Sequence, residues 1–344
     1  SVMKSGDYIL GSEVREFEMN FAKYCDCKYA VGVANGTDAL FLSMKALGIG
    51  SGDEVITSPN SFISTAGAII AAGAKPVFAD VGDDYNINPE LIDKAITKKT
   101  KFIIPVHLTG RPADMKLILQ VAEKHDLFVI EDAAQAVGAK YRGKKVGSFG
   151  TAGCFSLHPL KNLNCCGDGG VITTNNKELY ERLIQLRNHG LKNRDECEFW
   201  GYNSRLDSVQ AAILNVRLKY LEKTKIRIDE IASMYKDGLR DAVKVPIDKK
   251  YEEPFYHNFV IETDRRDELQ KYLLEKGIET AIHYPIPIHL QKSAKSLSYK
   301  EGDFPVCELQ AKRILSLPLY AELTSEQVKI VIKAIKSFYS SANS

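Results

Sequence analysis

Two rhythms alternate along the first half of the chain. Val14, Phe17, Phe21 and Tyr24 recur at the spacing of a helix face. Short, nearly continuous apolar runs then appear: Tyr29-Ala-Val-Gly-Val-Ala34, Glu54-Val-Ile-Thr-Ser58, Lys75-Pro-Val-Phe-Ala-Asp80, Lys101-Phe-Ile-Ile-Pro-Val106 and Leu127-Phe-Val-Ile-Glu-Asp132. Each is of strand length. Between them lie stretches that read as helices: one running to about Leu47, a small-residue one after Thr65, Pro89 to Ile96, and Met115 to His125. Pro89 opens its helix, where a missing N–H costs nothing. Strands apolar on both faces, alternating with helices, predict a parallel sheet covered on both sides.

The pattern changes after Asn175. Lys177 to Asn188 reads as a helix, and a polar loop from His189 to Tyr202 holds the only tryptophan, Trp200. Ser208 to about Met234 reads as one long helix, with a kink allowed. Glu253 to Ile261 and Thr280 to Tyr284 read as strands flanking a helix from Asp267 to Lys276. Glu326 to Phe338 reads as a closing amphipathic helix. The expected organisation is a large α/β domain over 1–225 and a smaller α+β domain over 226–344.

Ligands of parallel α/β sheets bind beyond the carboxyl ends of the strands. Asn35, Phe62, His107, Asp132 and Lys161 all fall at or just after such ends. Asn35-Gly-Thr-Asp38 joins a strand to a helix, so free backbone N–H groups and the positive end of the helix converge there. The turn suits an anion, and ordinary capping by Thr37 or Asp38 is compatible with that. Lys161 stands just past Pro159, which stops the run Cys154-Phe-Ser-Leu157; Gly167 to Gly170 and the strand Val171 to Thr174 follow. A lysine in a turn between two buried strands is either a solvated loop tip or an amine with a lowered pKa, able to form a Schiff base.

Composition removes several alternatives. Of 344 residues, 44% are hydrophobic and 26% charged, as in globular proteins. Net charge is +2, which offers no basic stripe to nucleic acid or to an anionic membrane. The longest apolar run, Ala66 to Ala74, is far too short to span a bilayer. The opening residues carry no secretory signal and read like the middle of a helix. A cytoplasmic protein lacking some native N-terminal residues is therefore expected. Seven cysteines, among them Cys25/Cys27 and the adjacent Cys165-Cys166, form neither a disulfide frame nor zinc-ligand spacing, so no metal is expected.

The motifs Asn35-Gly-Thr-Asp-Ala-Leu40, Glu131-Asp-Ala-Ala-Gln-Ala136, Ser156-Leu-His-Pro-Leu-Lys-Asn162, Gly201-Tyr-Asn-Ser-Arg205, Gln210-Ala-Ala212 and His283-Tyr-Pro-Ile-Pro-Ile-His-Leu-Gln291 occur in this order. In that order and spacing the chain resembles the DegT/DnrJ/EryC1/StrS family of pyridoxal-phosphate sugar aminotransferases over nearly its whole length. The resemblance implies the fold-type-I architecture: a mostly parallel seven-stranded sheet between helices and a smaller C-terminal α+β part. It implies pyridoxal 5'-phosphate as cofactor, passing through pyridoxamine 5'-phosphate.

Carried over residue by residue, Lys161 matches the Schiff-base lysine and proton shuttle. Asp132 matches the partner of the pyridine nitrogen, which keeps the ring an electron sink. Gln135 matches the position near the ring hydroxyl, and Phe62 the aromatic stacked on the ring. Gly36, Thr37 and Ser156 match the phosphate cradle. Asn203 matches a residue reaching the neighbouring subunit's phosphate, which implies a homodimer with shared sites. His158, His189, Arg205, His283, Tyr284 and His289 fall on the substrate side; each is also readable as a satisfied structural group, and His158 as a cap of its turn.

Family members that carry histidine where this chain has Lys161 are dehydratases, so Lys161 implies transamination. The expected reaction moves an amino group from L-glutamate to a keto group of a nucleotide-linked keto-deoxysugar. The alternatives are a small phosphorylated ketone as acceptor, or a non-enzymatic regulator on the same fold. Cys165 and Cys166 stand where the family often has a larger apolar residue, which leaves the pocket wall open.

Overall fold

The computed structural model describes residues 2–340. Its strands are β1 (Tyr29–Val33), β2 (Glu54–Thr57), β3 (Lys75–Phe78), β4 (Thr100–Ile104), β5 (Phe128–Asp132), β6 (Lys140–Tyr141), β7 (Lys144–Lys145), β8 (Ala152–Ser156), β9 (Gly170–Thr174), β10 (Glu252–Glu253), β11 (Phe259–Glu262) and β12 (Ile314–Leu317). Seven of them form one sheet in the order β1-β9-β8-β5-β4-β2-β3. Strands β3, β2, β4, β5 and β8 are parallel, and β9 is antiparallel to both neighbours, β1 and β8. The expected mostly parallel sheet is present, and its one reversal places the β8–β9 connection, with Lys161, at the carboxyl end of β8.

The helix Ser12–Tyr24 buries Val14, Phe17 and Phe21, three of the four positions picked out by spacing. The Phe21 ring meets Phe155 of β8 edge-on, with centroids 5.1 Å apart. Both rings are fully buried, each contributing roughly 1.5–3 kcal/mol of transfer free energy. On the same strand the helix Gly36–Ala46 brings Ser43 Oγ to 3.3 Å from Cys154 Sγ. The strand that carries Ser156 is thus anchored on both faces just short of its end.

The second half differs from the sequence expectation in three places. The long helix carries its allowed kink as a full break at Lys219-Tyr220, giving Ser208–Leu218 and Leu221–Leu239. The strand expected over 253–261 is interrupted. Glu252–Glu253 pairs with β6, Phe259–Glu262 pairs with β12, and the residues between turn aside to the large sheet's loops. There Phe255 N donates to Gly110 O at 3.0 Å and His257 N to Thr109 O at 2.8 Å. Gly110 has φ +92°, and a Cβ on it would lie 2.0 Å from Phe255 O, so only glycine allows this approach. Third, the strand expected over 280–284 is a single bridge, Ala281 to Ser316. Its partner strand β12 went unread because Ile314–Leu317 is too short to show a period.

Candidate active site

The Lys161 loop is closed at its base. Leu157 N donates to Gly169 O at 2.8 Å, and Cys165 N donates to Leu157 O at 2.9 Å. The Cys165 thiol donates to Leu157 O at 3.0 Å; burial pushes it up to about 11, so it remains protonated. Cys165 is therefore a brace of the loop, while Cys166 is exposed and takes a hydrogen bond on its oxygen from Gln210 Nε2 at 3.1 Å. Beside Lys161, Asn162 Nδ2 donates to Phe255 O at 3.1 Å and Tyr256 O at 3.3 Å, tying the loop to the late segment.

Burial pushes the Lys161 amine below its ordinary value, opposed in part by the negative charge of Asp132. Lys161 is half-buried, and its Nζ lies 3.4 Å from His257 Nε2, which argues against a freely solvated loop tip.

The two carboxylates that end β5 point to opposite faces and do different work. Glu131 is fully buried and accepts from Gly147 N at 2.7 Å, Phe149 N and Gly150 N at 2.8 Å, and sits 3.1 Å from His107 Nε2. It is a structural hub. Asp132 faces the site. Thr65 Oγ1 donates to its Oδ2 at 2.7 Å and Ala134 N to its Oδ1 at 3.2 Å. Burial raises the Asp132 pKa; the Thr65 and Ala134 hydrogen bonds, then Lys161 and His107, act the other way. Hydrogen bonds to a charged group are worth about 1.5–3 kcal/mol each. Thr65 escaped the sequence reading because a threonine among small helical residues carries no pattern.

Gln135 is held from both ends: its Oε1 accepts from Thr109 N at 2.7 Å, and its Nε2 donates to Tyr284 OH at 3.2 Å. Tyr284 thus reaches the site, its phenol pushed up to about 12 by burial and by Asp132. Phe62, 53% exposed, stands 5.7 Å from the Tyr284 ring, centroid to centroid.

At the far end, Asn35 caps the helix Gly36–Ala46 by accepting from Asp38 N at 2.8 Å. Gly36 N and Thr37 N have no hydrogen-bond partner among the described residues. A Cβ on Gly36 would lie 2.8 Å from Ser156 Cβ, and one on Gly170 would lie 2.3 Å from Asn35 O. Both glycines are needed to seat this turn against the end of β8, beside the Ser156 hydroxyl.

The remaining candidates divide. The His283 imidazole lies 2.9 Å from Ser316 Oγ, held below its usual value by burial and by Lys161. His158 is exposed, and its Nδ1 accepts from Leu160 N at 3.3 Å, which is the turn-capping role. Arg205 donates to Asn188 Oδ1 at 2.9 Å. His189 and Asn203 are exposed on the same loop, and the Asn203 side chain makes no hydrogen bond within the protomer among the described residues. His289 is not brought to this group. Its ring is buried 3.0 Å from Glu308 Oε1 and packs 4.7 Å from the Phe304 ring, centroid to centroid, so it braces the C-terminal part. The reading missed His257, whose Nε2 lies 3.4 Å from Lys161 Nζ. The signal was one ionisable residue in an otherwise apolar run.

These residues fit pyridoxal phosphate. An amine of lowered pKa is available to an aldehyde. A buried carboxylate short of one positive partner suits a protonated ring nitrogen. An exposed phenylalanine offers a face for stacking, and two free amides with a hydroxyl suit a phosphate.

Residues 1–336 match the family model of the DegT/DnrJ/EryC1/StrS aminotransferases. The pleiotropic regulatory protein of Geobacillus stearothermophilus is 46% identical over 345 residues, covering 98% of this chain and 92% of its own. The dTDP-3-amino-3,6-dideoxy-alpha-D-galactopyranose transaminase of Aneurinibacillus thermoaerophilus is 45% identical over 339 residues, covering 98% and 93%. The solved structure of S. venezuelae DesV in complex with a ketimine intermediate is similar with a TM-score of 0.96 at 42% identity, covering 98% of this chain and 92% of that one. By sequence match, fold and site chemistry together, the chain belongs to the DegT/DnrJ/EryC1/StrS family of pyridoxal-phosphate-dependent aminotransferases.

Proposed function

We propose that the protein moves an amino group from L-glutamate to a keto group of a nucleotide-linked keto-deoxysugar, as a cytoplasmic homodimer serving the synthesis of surface glycans or other sugars. The observation that carries the reading is the half-buried Lys161 amine just past the carboxyl end of β8, near enough to Asp132 to feel its charge. When bound, the cofactor supplies an aldehyde and an electron-withdrawing ring. The chain's own residues do the rest. Gly36 N–H, Thr37 N–H and the Ser156 hydroxyl bind the phosphate. Phe62 would cover the ring, and Asp132 would keep its nitrogen charged. Lys161 Nζ, as a neutral amine, would take the proton from the donor's α-carbon and hold it until it is handed back. His283 and Tyr284 would line the acceptor side, and His189 and Arg205, on the loop 189–205, are the further candidates for it.

The A. thermoaerophilus relative is named for a 3-amino dTDP-sugar, so 3-keto dTDP- and UDP-sugars are the acceptors to try first, beside a small phosphorylated ketone. Addition of L-glutamate alone should bleach the protein's visible band within one turnover, and the correct acceptor should restore it. A protein indifferent to every amino donor would overturn the reading and favour the regulator suggested by the G. stearothermophilus relative's name.

The dimer reading is supported by the exposed Asn203 side chain, which has no hydrogen-bond partner among the described residues. Asn203→Ala should weaken cofactor retention about tenfold, the value of one hydrogen bond to a charged group. Fluorescence titration of the cofactor-stripped protein measures this, and a fully active monomer would contradict it.

A further inference from the structure

Residues 254–258 give the site a group that none of the assigned roles uses. The backbone around His257 is fixed from two sides. His257 N donates to Thr109 O at 2.8 Å, and Phe255 O and Tyr256 O accept from Asn162 Nδ2. So held, the imidazole places Nε2 3.4 Å from Lys161 Nζ. Two cations would repel at this distance. Burial first, then Lys161, His283 and His158, hold the His257 imidazole well below its usual value. The ring is therefore neutral. With its hydrogen on Nδ1 it turns a lone pair toward Lys161.

We propose that His257 is a positioning residue for Lys161. Its neutral Nε2 accepts a hydrogen bond from the free Lys161 amine, aims that amine across the crevice and favours its protonated form. His257 itself takes no proton: the proton that Lys161 acquires stays on Nζ, whose N–H donates to the imidazole, until Nζ gives it back. The other ionisable groups facing the pair are Asp132 from β5, His158 from the same loop and His283. Asp132 favours the ammonium. Burial alone disfavours it, and His257 opposes that cost by a hydrogen bond. The catalytic meaning of this arrangement rests on the aminotransferase reading.

The test uses the full chain stripped of cofactor, labelled with acetic anhydride across a pH series. The peptide containing Lys161 is quantified by mass spectrometry. His257→Phe removes the acceptor, and the Lys161 titration midpoint should fall by about one pH unit, equal to one hydrogen bond of ordinary strength. His257→Gln restores a side-chain acceptor and should keep the midpoint near that of the unsubstituted protein. A midpoint that stays or rises in the Phe variant, or one that moves alike in both variants, overturns the proposal. Circular dichroism confirms that each variant is folded; should the Phe variant fail, His257→Ala is read against His257→Gln by the same criteria. With glutamate, the Phe variant should lose about tenfold in kcat at unchanged KM, and the Gln variant should recover most of it. If the unsubstituted protein ignores glutamate, the aminotransferase reading fails, while the labelling experiment still decides the role of His257.

Discussion

Lys161→Ala should purify without a visible absorbance band and should lose turnover by about ten-thousandfold or more. On the proposed function the amine both holds an aldehyde and carries a proton, and general acid–base catalysis alone is worth about 10²–10⁴-fold. Loss of the amine removes both roles at once. The fold should survive, since among the described residues the Lys161 side chain makes no hydrogen bond beyond the 3.4 Å contact with His257. The absorbance spectrum and a steady-state assay check the two effects separately. Retention of either would mean that the catalytic amine lies elsewhere.

Asp132→Asn should bind cofactor yet turn over about a hundredfold more slowly, the order of effect seen when one electrostatic stabiliser of a developing charge is removed. Asparagine can occupy the same space and accept from Thr65, but it cannot hold the ring nitrogen charged. A second, opposite effect follows in the cofactor-free protein. The Asp132 pKa is raised in the fold above its value in the unfolded chain, chiefly by burial. Its contribution to stability is therefore fully present below the unfolded pKa and is lost as pH rises through the folded one. The amide of the variant does not titrate, so its denaturation midpoint should no longer fall across that window. Activity lost with stability gained is the trade expected at a site built for function. A variant that loses both, with the unsubstituted pH dependence intact, would place Asp132 among the structural groups.

Most of the large sheet was legible because its strands are buried on both faces and bounded by turn residues. Tyr29–Val33 and Phe128–Asp132 read as strands without help from anything distant. The end of β5 was only half legible. Glu131 and Asp132 are adjacent carboxylates, and nothing local says that one will be taken up by three backbone amides while the other accepts from the Thr65 hydroxyl and Ala134 N. That split depends on where residues 147–150 return. His257 and Thr65 were illegible for the same reason. Each acts through one contact with a residue far along the chain, and such a contact leaves no period in the sequence. His289 shows the converse: a histidine inside a site motif whose partner, Glu308, lies in a helix and loop the apolar pattern did not separate.

Asn162 binds two carbonyls more than ninety residues away, at Phe255 and Tyr256. The order of synthesis therefore matters. While the chain is being made, the large sheet can assemble and present Lys161 long before residues 255–257 have left the ribosome. Until they arrive, Asn162 lacks these two carbonyls and the amine has no imidazole beside it. The surroundings of this lysine are thus completed only when a segment made more than ninety residues later folds back onto its loop.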